Sequence, residues 1–256
     1  MKSTGNTILV TGGGSGIGLA LALAWRERGN TVIVAGRRKS LLDEVTAAYP
    51  GLVGYVLDVE NAQSIAEFAT QVVKNHPDLN VLVNNAGIMR AENLLDAQAT
   101  LPDAEAMIAT NVLGPIRLIS AVLPHLMAQH DAAIVNVSSG LAFVPLAVTP
   151  TYSATKAALH SYSQSLRHQL RGTSVEVLEL APPAVQTDLM PGHAVSPTAM
   201  PLADYVAEVM GLLGQDPTPG EICVKNVQFL RRAEAEGRFD QVFGMLNPAA
   251  SGANGH

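Results

Sequence analysis

Short aliphatic runs alternate with longer amphipathic stretches along most of the chain. The short runs predict strands at residues 7–10, 31–35, 53–57, 81–83, 133–137, 174–180 and 221–224. The longer stretches repeat their apolar positions with a helical period and predict helices at residues 16–28, 41–49, 65–75, 103–129, 151–170, 202–213 and 227–246. This alternation is typical of βαβ units. It therefore predicts an α/β fold, a Rossmann-type doubly wound sheet of seven parallel strands flanked by helices.

The alternation runs from residue 7 to residue 225 without a linker rich in Pro, Gly or Ser. We therefore expect a single domain over residues 1–246, followed at 247–256 by a polar, glycine-rich tail that we expect to be mobile. The irregular stretch 182–201 is rich in Pro, Gly, Met and Ser. It is interpreted as a loop that covers a substrate, with a plain surface connection as the alternative.

Composition and charge exclude several classes of protein. Hydrophobic residues make up 48% of the chain and charged residues 15%, which excludes extensive disorder, and the net charge of −6 argues against nucleic acid as a partner. The pattern predicts neither a signal peptide nor a membrane span. A single cysteine, Cys223, excludes an internal disulfide framework, and the histidine spacing predicts no metal site. A cytoplasmic location is expected.

A glycine-rich turn follows the first predicted strand and opens the first predicted helix. Glycine there permits a sharp turn and close approach of the backbone to a pyrophosphate, while the helix N-terminus offers N–H groups to phosphate. The spacing Gly-x-x-x-Gly-x-Gly differs from the Gly-x-Gly-x-x-Gly fingerprint and lacks the Lys-Ser/Thr ending of a P-loop. The turn predicts dinucleotide binding by Gly12, Gly14, Ser15, Gly16, Ile17 and Gly18.

The end of the second predicted strand indicates which dinucleotide binds. Gly36 stands where an NAD site needs an acidic side chain, and Arg37 and Arg38 follow it. These cations can bind a 2′-phosphate, so NADP is the expected cofactor and NAD the weaker alternative. A solvated basic helix start is the other interpretation.

Three residues form a candidate catalytic group. Tyr152 and Lys156 lie four residues apart on a predicted helix, so their side chains share one face. An adjacent ammonium and a cationic nicotinamide are expected to lower the phenol pKa and make Tyr152 a general acid and base. Ser139, at the exit of a strand, is expected to polarise the substrate oxygen. Taken singly, these residues are also compatible with an ordinary helix start and a cap.

Several motifs in order resemble those of the short-chain dehydrogenase/reductase family. They are Thr11 to Gly18, Asp58, Asn84-Asn85-Ala86-Gly87, Asn111, Ser138-Ser139 and Tyr152-Ser153-Ala154-Thr155-Lys156, and the resemblance covers about residues 6–225. It implies that Asn111 kinks a helix and holds a water near Lys156. It further implies cofactor contacts from Asp58, Val59, Asn85, Ala86, Gly87, Tyr152, Lys156, Pro182, Val185 and Thr187, with the Lys156 ammonium on the nicotinamide ribose hydroxyls.

The chain departs from this family at two places. Ala184 stands where relatives carry glycine, which puts the local backbone torsions in doubt. The C-terminal stretch lies outside the resemblance, although the tail and the 182–201 loop are similar to DltE-like bacterial oxidoreductases.

These observations predict an oxidoreductase that transfers hydride between NADP(H) and a carbonyl or secondary alcohol. The alternatives are a catalytically silent NADP-binding regulator or scaffold, and a dehydratase or epimerase on the same fold. A homodimer or homotetramer is expected, because the helices at 103–129 and 151–170 carry apolar residues on more than one side, with full coverage within one chain as the alternative. The residues concerned are Ile116, Ile119, Leu123, Leu159, Leu166 and Leu170.

Overall fold

The structure, a computed structural model, describes residues 1–248 and contains the predicted seven-stranded parallel sheet. The strand order is β3-β2-β1-β4-β5-β6-β7, and every neighbouring pair is parallel. The strands are β1 (Thr7–Thr11), β2 (Thr31–Gly36), β3 (Leu52–Val56), β4 (Leu79–Asn84), β5 (Ala132–Val137), β6 (Val175–Leu180) and β7 (Glu221–Ile222).

Helices cover both faces of this sheet. They are α1 (Gly16–Glu27), α2 (Lys39–Ala48), α3 (Ala62–Asn75), α4 (Ala97–Ile108), α5 (Gly114–Met127), α6 (Pro150–Gln169), α7 (Leu202–Leu213), α8 (Gln228–Arg231) and α9 (Phe239–Leu246). One apolar core packs α1, α2 and α7 on the first face, and a second core packs α3, α5 and α6 on the other. The predicted doubly wound fold is confirmed.

The strand order reverses between β1 and β4, and this reversal determines where a ligand can bind. β1 pairs with β2 on one side and with β4 on the other. Connections leaving the carboxyl ends of β1 and β4 therefore run in opposite directions and leave a crevice between them. The glycine turn after β1 and the Asn85-Ala86-Gly87 segment after β4 both lie at this crevice.

The prediction of one helix at 103–129 was wrong. Helix α4 begins earlier, at Ala97, and a π-helical turn at Ala109–Leu113 separates it from α5. The buried Asn111 side chain accepts a hydrogen bond from the Ile88 backbone N–H (2.9 Å) and donates to the Ile88 carbonyl (2.9 Å). We attribute the local widening of the helix to these tertiary bonds.

The predicted terminal helix at 227–246 was also wrong as a single element. It consists of α8 and α9, joined by a turn in which Gly237 has a φ of +65°. A left-handed residue ends a helix, and the Arg238 N–H bonds back to the Ala233 carbonyl (2.8 Å) to close the turn. The last strand is shorter than predicted. Of the predicted mobile tail, residues 249–256 lie outside the described part of the chain.

The run Gln98–Met127 is long and apolar enough, by length and composition alone, to cross a membrane. In the structure, however, the π-helical turn interrupts this run, and α5 packs its apolar residues into the second core. The core residues of α5 are Leu118, Ile119, Val122 and Leu126. Burial in this core accounts for the apolar residues that α5 contributes to it.

Candidate active site

A cavity of about 800 Å³ lies at the carboxyl edge of the sheet and extends from the glycine turn to the start of α6. It collects most of the predicted site residues. Those lining it are Gly12, Gly14, Ser15, Gly16, Ile17, Gly18, Arg37, Arg38, Val59, Asn85, Ala86, Gly87, Ser139, Tyr152, Lys156, Pro182, Val185 and Thr187. The cavity lining does not include Asp58 and Asn111.

The glycine turn packs so closely that side chains would not fit at three of its positions, Gly12, Gly13 and Gly18. A Cβ on Gly12 would lie 2.9 Å from the Ala86 Cα, and one on Gly18 would lie 2.4 Å from the Asn85 amide nitrogen. Gly12 also has a φ of +65°, which favours glycine. The turn therefore presents bare backbone and the N-terminus of α1 to the cavity, a cradle of the kind that binds phosphate.

Thr11, which the sequence analysis did not single out as a site residue, ties this turn to β4. Its Oγ1 accepts hydrogen bonds from the Asn85 and Ala86 N–H groups, both at 3.0 Å, and donates to the Val83 carbonyl (3.2 Å). The Asn85 amide donates to the Thr11 carbonyl (2.9 Å). A threonine directly before a glycine turn was the available signal.

The second strand ends in open space beside two arginines. Within the described residues, no neighbouring atom lies within 4 Å of a Cβ built on Gly36. Arg37 is half exposed, and its Nη1 forms an ion pair with Glu60 at 2.8 Å. Glu60 also accepts a hydrogen bond from the Thr110 hydroxyl (2.8 Å). Sequence reasoning missed Glu60, because the residue pairs with Arg37 only through the fold.

Asp58 has a local role in the structure. Its Oδ1 accepts a hydrogen bond from the Glu60 N–H (3.0 Å), while its own N–H donates to the Ser64 hydroxyl (3.1 Å). The cap of α3 is Asn61, whose side chain accepts from the Gln63 and Ser64 N–H groups. Leu57 and Val59, on either side of Asp58, line the cavity instead.

Tyr152, Ser139 and Lys156 meet at the inner end of the cavity. All three are buried, the Ser139 side chain lies near enough to the Tyr152 phenol to lower its pKa, and the Ser139 Oγ accepts a hydrogen bond from the Leu141 N–H (3.1 Å). The Lys156 ammonium lies 5.6 Å from the centre of the Tyr152 ring and donates to the Val137 carbonyl (2.8 Å). Helix α6 begins with Pro150 at its first position, and this start sets Tyr152 in the first turn beside the end of β5.

Burial controls the ionisation of this group in the chain itself. Desolvation raises the Tyr152 pKa to about 12, although the hydrogen bond from Ser139 acts in the opposite direction. Desolvation also lowers the Lys156 pKa to about 8. Without a cofactor, the protein therefore does not show the expected lowering of the Tyr152 pKa. At neutral pH the site holds a neutral phenol beside an ammonium ion.

Asn111 lies behind these residues, on the π-helical turn. Besides its two bonds to Ile88, its amide donates to the Thr155 hydroxyl (3.1 Å). A Cβ on Gly87 would lie 3.3 Å from the Asn111 Oδ1 and 3.6 Å from the Lys156 ammonium. Asn111 is thus held close to Lys156 by bonds that join three segments of the chain.

Apolar side chains form the wall beyond Tyr152. Tyr152 packs with Met89 and Met107, and Leu141 and Leu146 contact this cluster. The C-terminal segment supplies two further lining residues, Leu230 on α8 and Leu246 on α9. A Cβ on Gly140 would lie 2.6 Å from the Leu230 side chain, so glycine permits α8 to approach the 140–146 loop.

The backbone around Ala184 is held by the loop that follows β6. The Ala184 carbonyl accepts from the Met200 N–H (2.8 Å), and the Gln186 N–H donates to the Met200 carbonyl (2.9 Å). Val185 and Met200 thereby form an isolated parallel bridge. Val185 and Thr187 still line the cavity despite the missing glycine.

Comparison with known proteins agrees with this geometry. The short chain dehydrogenase family profile matches residues 6–194. An uncharacterized oxidoreductase, DltE of Bacillus subtilis (strain 168), is 49% identical over 189 residues, which cover 74% of this chain and 75% of that protein.

Solved structures extend the likeness over nearly the whole chain. A short-chain dehydrogenase from Streptomyces avermitilis is 30% identical with a TM-score of 0.79, covering 96% of this chain and 97% of that one. A short chain dehydrogenase from Burkholderia cenocepacia J2315, in complex with NADP, is 26% identical with a TM-score of 0.81, covering 98% and 100%. The chain belongs to the short-chain dehydrogenase family of oxidoreductases.

Proposed function

We propose that this oxidoreductase reduces a carbonyl compound to a secondary alcohol with NADPH, and that Tyr152 delivers the proton. The main support is that Tyr152, Ser139 and Lys156 line one end of a cavity whose other end is a phosphate-type glycine turn. A phenol with a pKa of about 12 holds its proton at neutral pH but is a weak donor, so proton transfer needs the Lys156 ammonium and a nicotinamide cation, when present, to lower this pKa.

The residues present fit a nicotinamide dinucleotide. The glycine turn and α1 would hold the pyrophosphate, Gly36, Arg37 and Arg38 the 2′-phosphate, and Asn85 to Gly87 and the segment from Pro182 to Thr187 the remainder. When bound, the cofactor supplies the hydride. Asp58 is proposed as a further cofactor contact, because one of its oxygens accepts from the Glu60 N–H (3.0 Å) and a carboxylate has further acceptor positions.

The chain's own residues account for the proton. The Ser139 hydroxyl would hydrogen bond the substrate oxygen beside Tyr152. Tyr152 would give its proton to that oxygen as negative charge develops on it. Lys156 remains charged below a pKa of about 8 and stabilises the phenolate that results. Asn111 fixes the backbone at Ile88, beside Gly87 and Lys156.

The Tyr152 assignment is tested with purified protein and a panel of uncharged aldehydes and ketones. We expect the parent to oxidise NADPH with members of the panel, and Tyr152→Phe to lower kcat by about 10²–10⁴-fold while leaving the NADPH Kd within about twofold. A Tyr152→Phe variant that retains the parent kcat would contradict the assignment. A parent that binds NADPH yet reduces nothing would favour a silent nucleotide-binding protein.

Cofactor preference has its own test at the end of β2. Within the described residues nothing obstructs a side chain at Gly36, so Gly36→Asp can be accommodated there and would repel a 2′-phosphate. We expect the parent to favour NADPH in kcat/KM and the double variant Gly36→Asp/Arg37→Ala to favour NADH. A parent that prefers NADH, or a double variant with an unchanged preference, would overturn the NADP assignment.

The proposed oligomer rests only in part on the residues that suggested it, of which Ile116 and Leu123 are half-buried. Ile119, Leu159, Leu166 and Leu170 are already buried within one chain. The large apolar side chains still exposed on α4, the π-helical turn and α5 are Leu101, Ile108, Leu113 and Met127. These support a homodimer or homotetramer, and light scattering that gives a monomer mass at every concentration would refute it. The cytoplasmic location stays a prediction.

A further inference from the structure

A buried carboxylate lies directly behind the candidate active site. Glu179 on β6 is fully buried, and both of its oxygens are bonded. Oε1 accepts from the Ser138 hydroxyl at 2.5 Å, and Oε2 contacts the His160 Nδ1 at 2.7 Å. Burying a charge in this way is costly unless a partner compensates it. His160, when protonated, is the cation that faces it most closely.

The two partners of Glu179 lead to the two halves of the catalytic group. His160 lies four residues after Lys156 and eight after Tyr152, so all three side chains share one face of α6. Ser138 directly precedes Ser139 at the end of β5. The bonds from Glu179 therefore join the helix that carries the phenol to the strand end that carries the serine.

His160 also contacts the loop that forms part of the cavity wall, through Phe143. The Phe143 ring packs edge-on against His160 with a 5.0 Å centroid distance, and the Arg231 guanidinium lies 4.9 Å from the Phe143 centroid. Arg231 forms two bonds with Glu221, at 2.6 and 3.1 Å. Phe143 belongs to the loop whose Gly140, Leu141 and Leu146 line the cavity.

The charges around His160 favour its protonated form. Its hydrogen bond with Glu179 raises the His160 pKa, with smaller support from Glu221, while burial and Arg231 oppose this. His160, Glu179 and Glu221 also have ligand atoms within 4.8 Å of one another. We do not assign a metal site to these three residues, because protein donors already bond both carboxylates. Ser138 and His160 bond Glu179, and Arg231 bonds Glu221.

We propose that His160 and Glu179 are positioning residues for the reaction, an ion pair that sets Ser139 against Tyr152. Through the contact of His160 with Phe143, the pair also holds the loop whose Gly140, Leu141 and Leu146 line the cavity. The expected effect of this pair on kcat rests on the proposed function. Neither residue lines the cavity. Their loss should therefore change kcat through the alignment of other groups and leave cofactor affinity intact.

The test is a double-mutant cycle on this pair. His160→Leu leaves the Glu179 carboxylate buried with one donor, and we expect kcat to fall by about 100-fold with the NADPH Kd within about twofold. Glu179→Gln keeps an acceptor for Ser138 without the charge and should lower kcat less. The double variant should recover at least about fivefold over His160→Leu, because the uncompensated charge is gone. Asp43→Asn, in the exposed Lys39–Asp43 pair, is the control and should change nothing.

Amide hydrogen exchange gives a readout that does not need turnover. The peptide spanning residues 139–147 should exchange faster in His160→Leu, and this protection should return in the double variant, while a peptide from α2 stays unchanged. Should His160→Leu fail to fold, Glu179→Gln alone must show faster exchange and a His160 pKa that falls towards 6.5 by NMR.

Unchanged exchange and kcat in the single variants, or losses that simply add in the double variant, would overturn the proposal. If the parent reduces no carbonyl, the proposed function fails, and the exchange pattern still decides whether the pair positions the loop.

Discussion

Replacing Lys156 with methionine should make the protein more stable and inactive. Lys156 is buried on α6, and its ammonium donates one hydrogen bond, to the Val137 carbonyl. Methionine retains most of the apolar stem and removes the buried charge. When a residue serves catalysis at a cost in folding stability, its replacement should raise stability and remove activity.

The magnitude follows from the pKa of the lysine. Desolvation lowers it from 10.5 to about 8. At about 1.4 kcal/mol per pKa unit, the charged form costs the fold about 3 kcal/mol at pH 7. Leaving the Val137 carbonyl without its donor costs about 1–2 kcal/mol in the variant. The net gain for Lys156→Met is about 1–2 kcal/mol, or a Tm higher by a few degrees, about 2–8 °C.

The sign of the pH dependence is fixed by the direction of the shift. Because the folded pKa lies below the unfolded one, the wild-type penalty is complete below pH 8 and disappears as the pH rises from about 8 to 10.5. Urea unfolding at pH 7 and at pH 10 measures the difference, with Lys39→Met in the exposed Lys39–Asp43 pair as control. A Lys156→Met variant less stable than wild type at pH 7, or an equal difference at both pH values, would refute the reasoning.

Two further changes test the walls and the cofactor end of the site. Gly140→Ala places a Cβ 2.6 Å from the Leu230 side chain and 2.9 Å from that of Val227, so it should cost about 1–3 kcal/mol and lower the Tm; an unchanged melting curve would contradict the close packing of α8. Glu60→Gln releases the Arg37 guanidinium from its 2.8 Å ion pair and should raise the NADPH-to-NADH ratio of kcat/KM by about fivefold. A ratio that falls would show that Arg37 does not meet the 2′-phosphate.

Local features were predictable from the sequence because they depend on neighbours along the chain. Examples are the alternating strands and helices and the glycine turn after β1. The spacing of hydrophobic residues and a cluster of glycines each favour one local structure directly. Tyr152 and Lys156 share a helix face for the same reason, because four residues make about one helical turn.

Other features depend on tertiary contacts that no local pattern encodes. The π-helical turn depends on Ile88, which bonds the Asn111 side chain from another segment. The Tyr152 pKa depends on desolvation by surrounding packing, which raises it in the chain itself, whereas the expected lowering included the charge of a nicotinamide. The Arg37–Glu60 pair and the lining contributed by Leu230 and Leu246 likewise appear only after folding.

The most direct test of the proposed function is the transfer of label from NADPH deuterated at the transferring C4 position. The purified protein is incubated with this cofactor and the ketone it reduces best, and the product is analysed by mass spectrometry and proton NMR. We expect an alcohol with one deuterium on the carbinol carbon and a hydroxyl proton exchanged from solvent. A product formed by loss of water, or an alcohol without deuterium on that carbon, would contradict it.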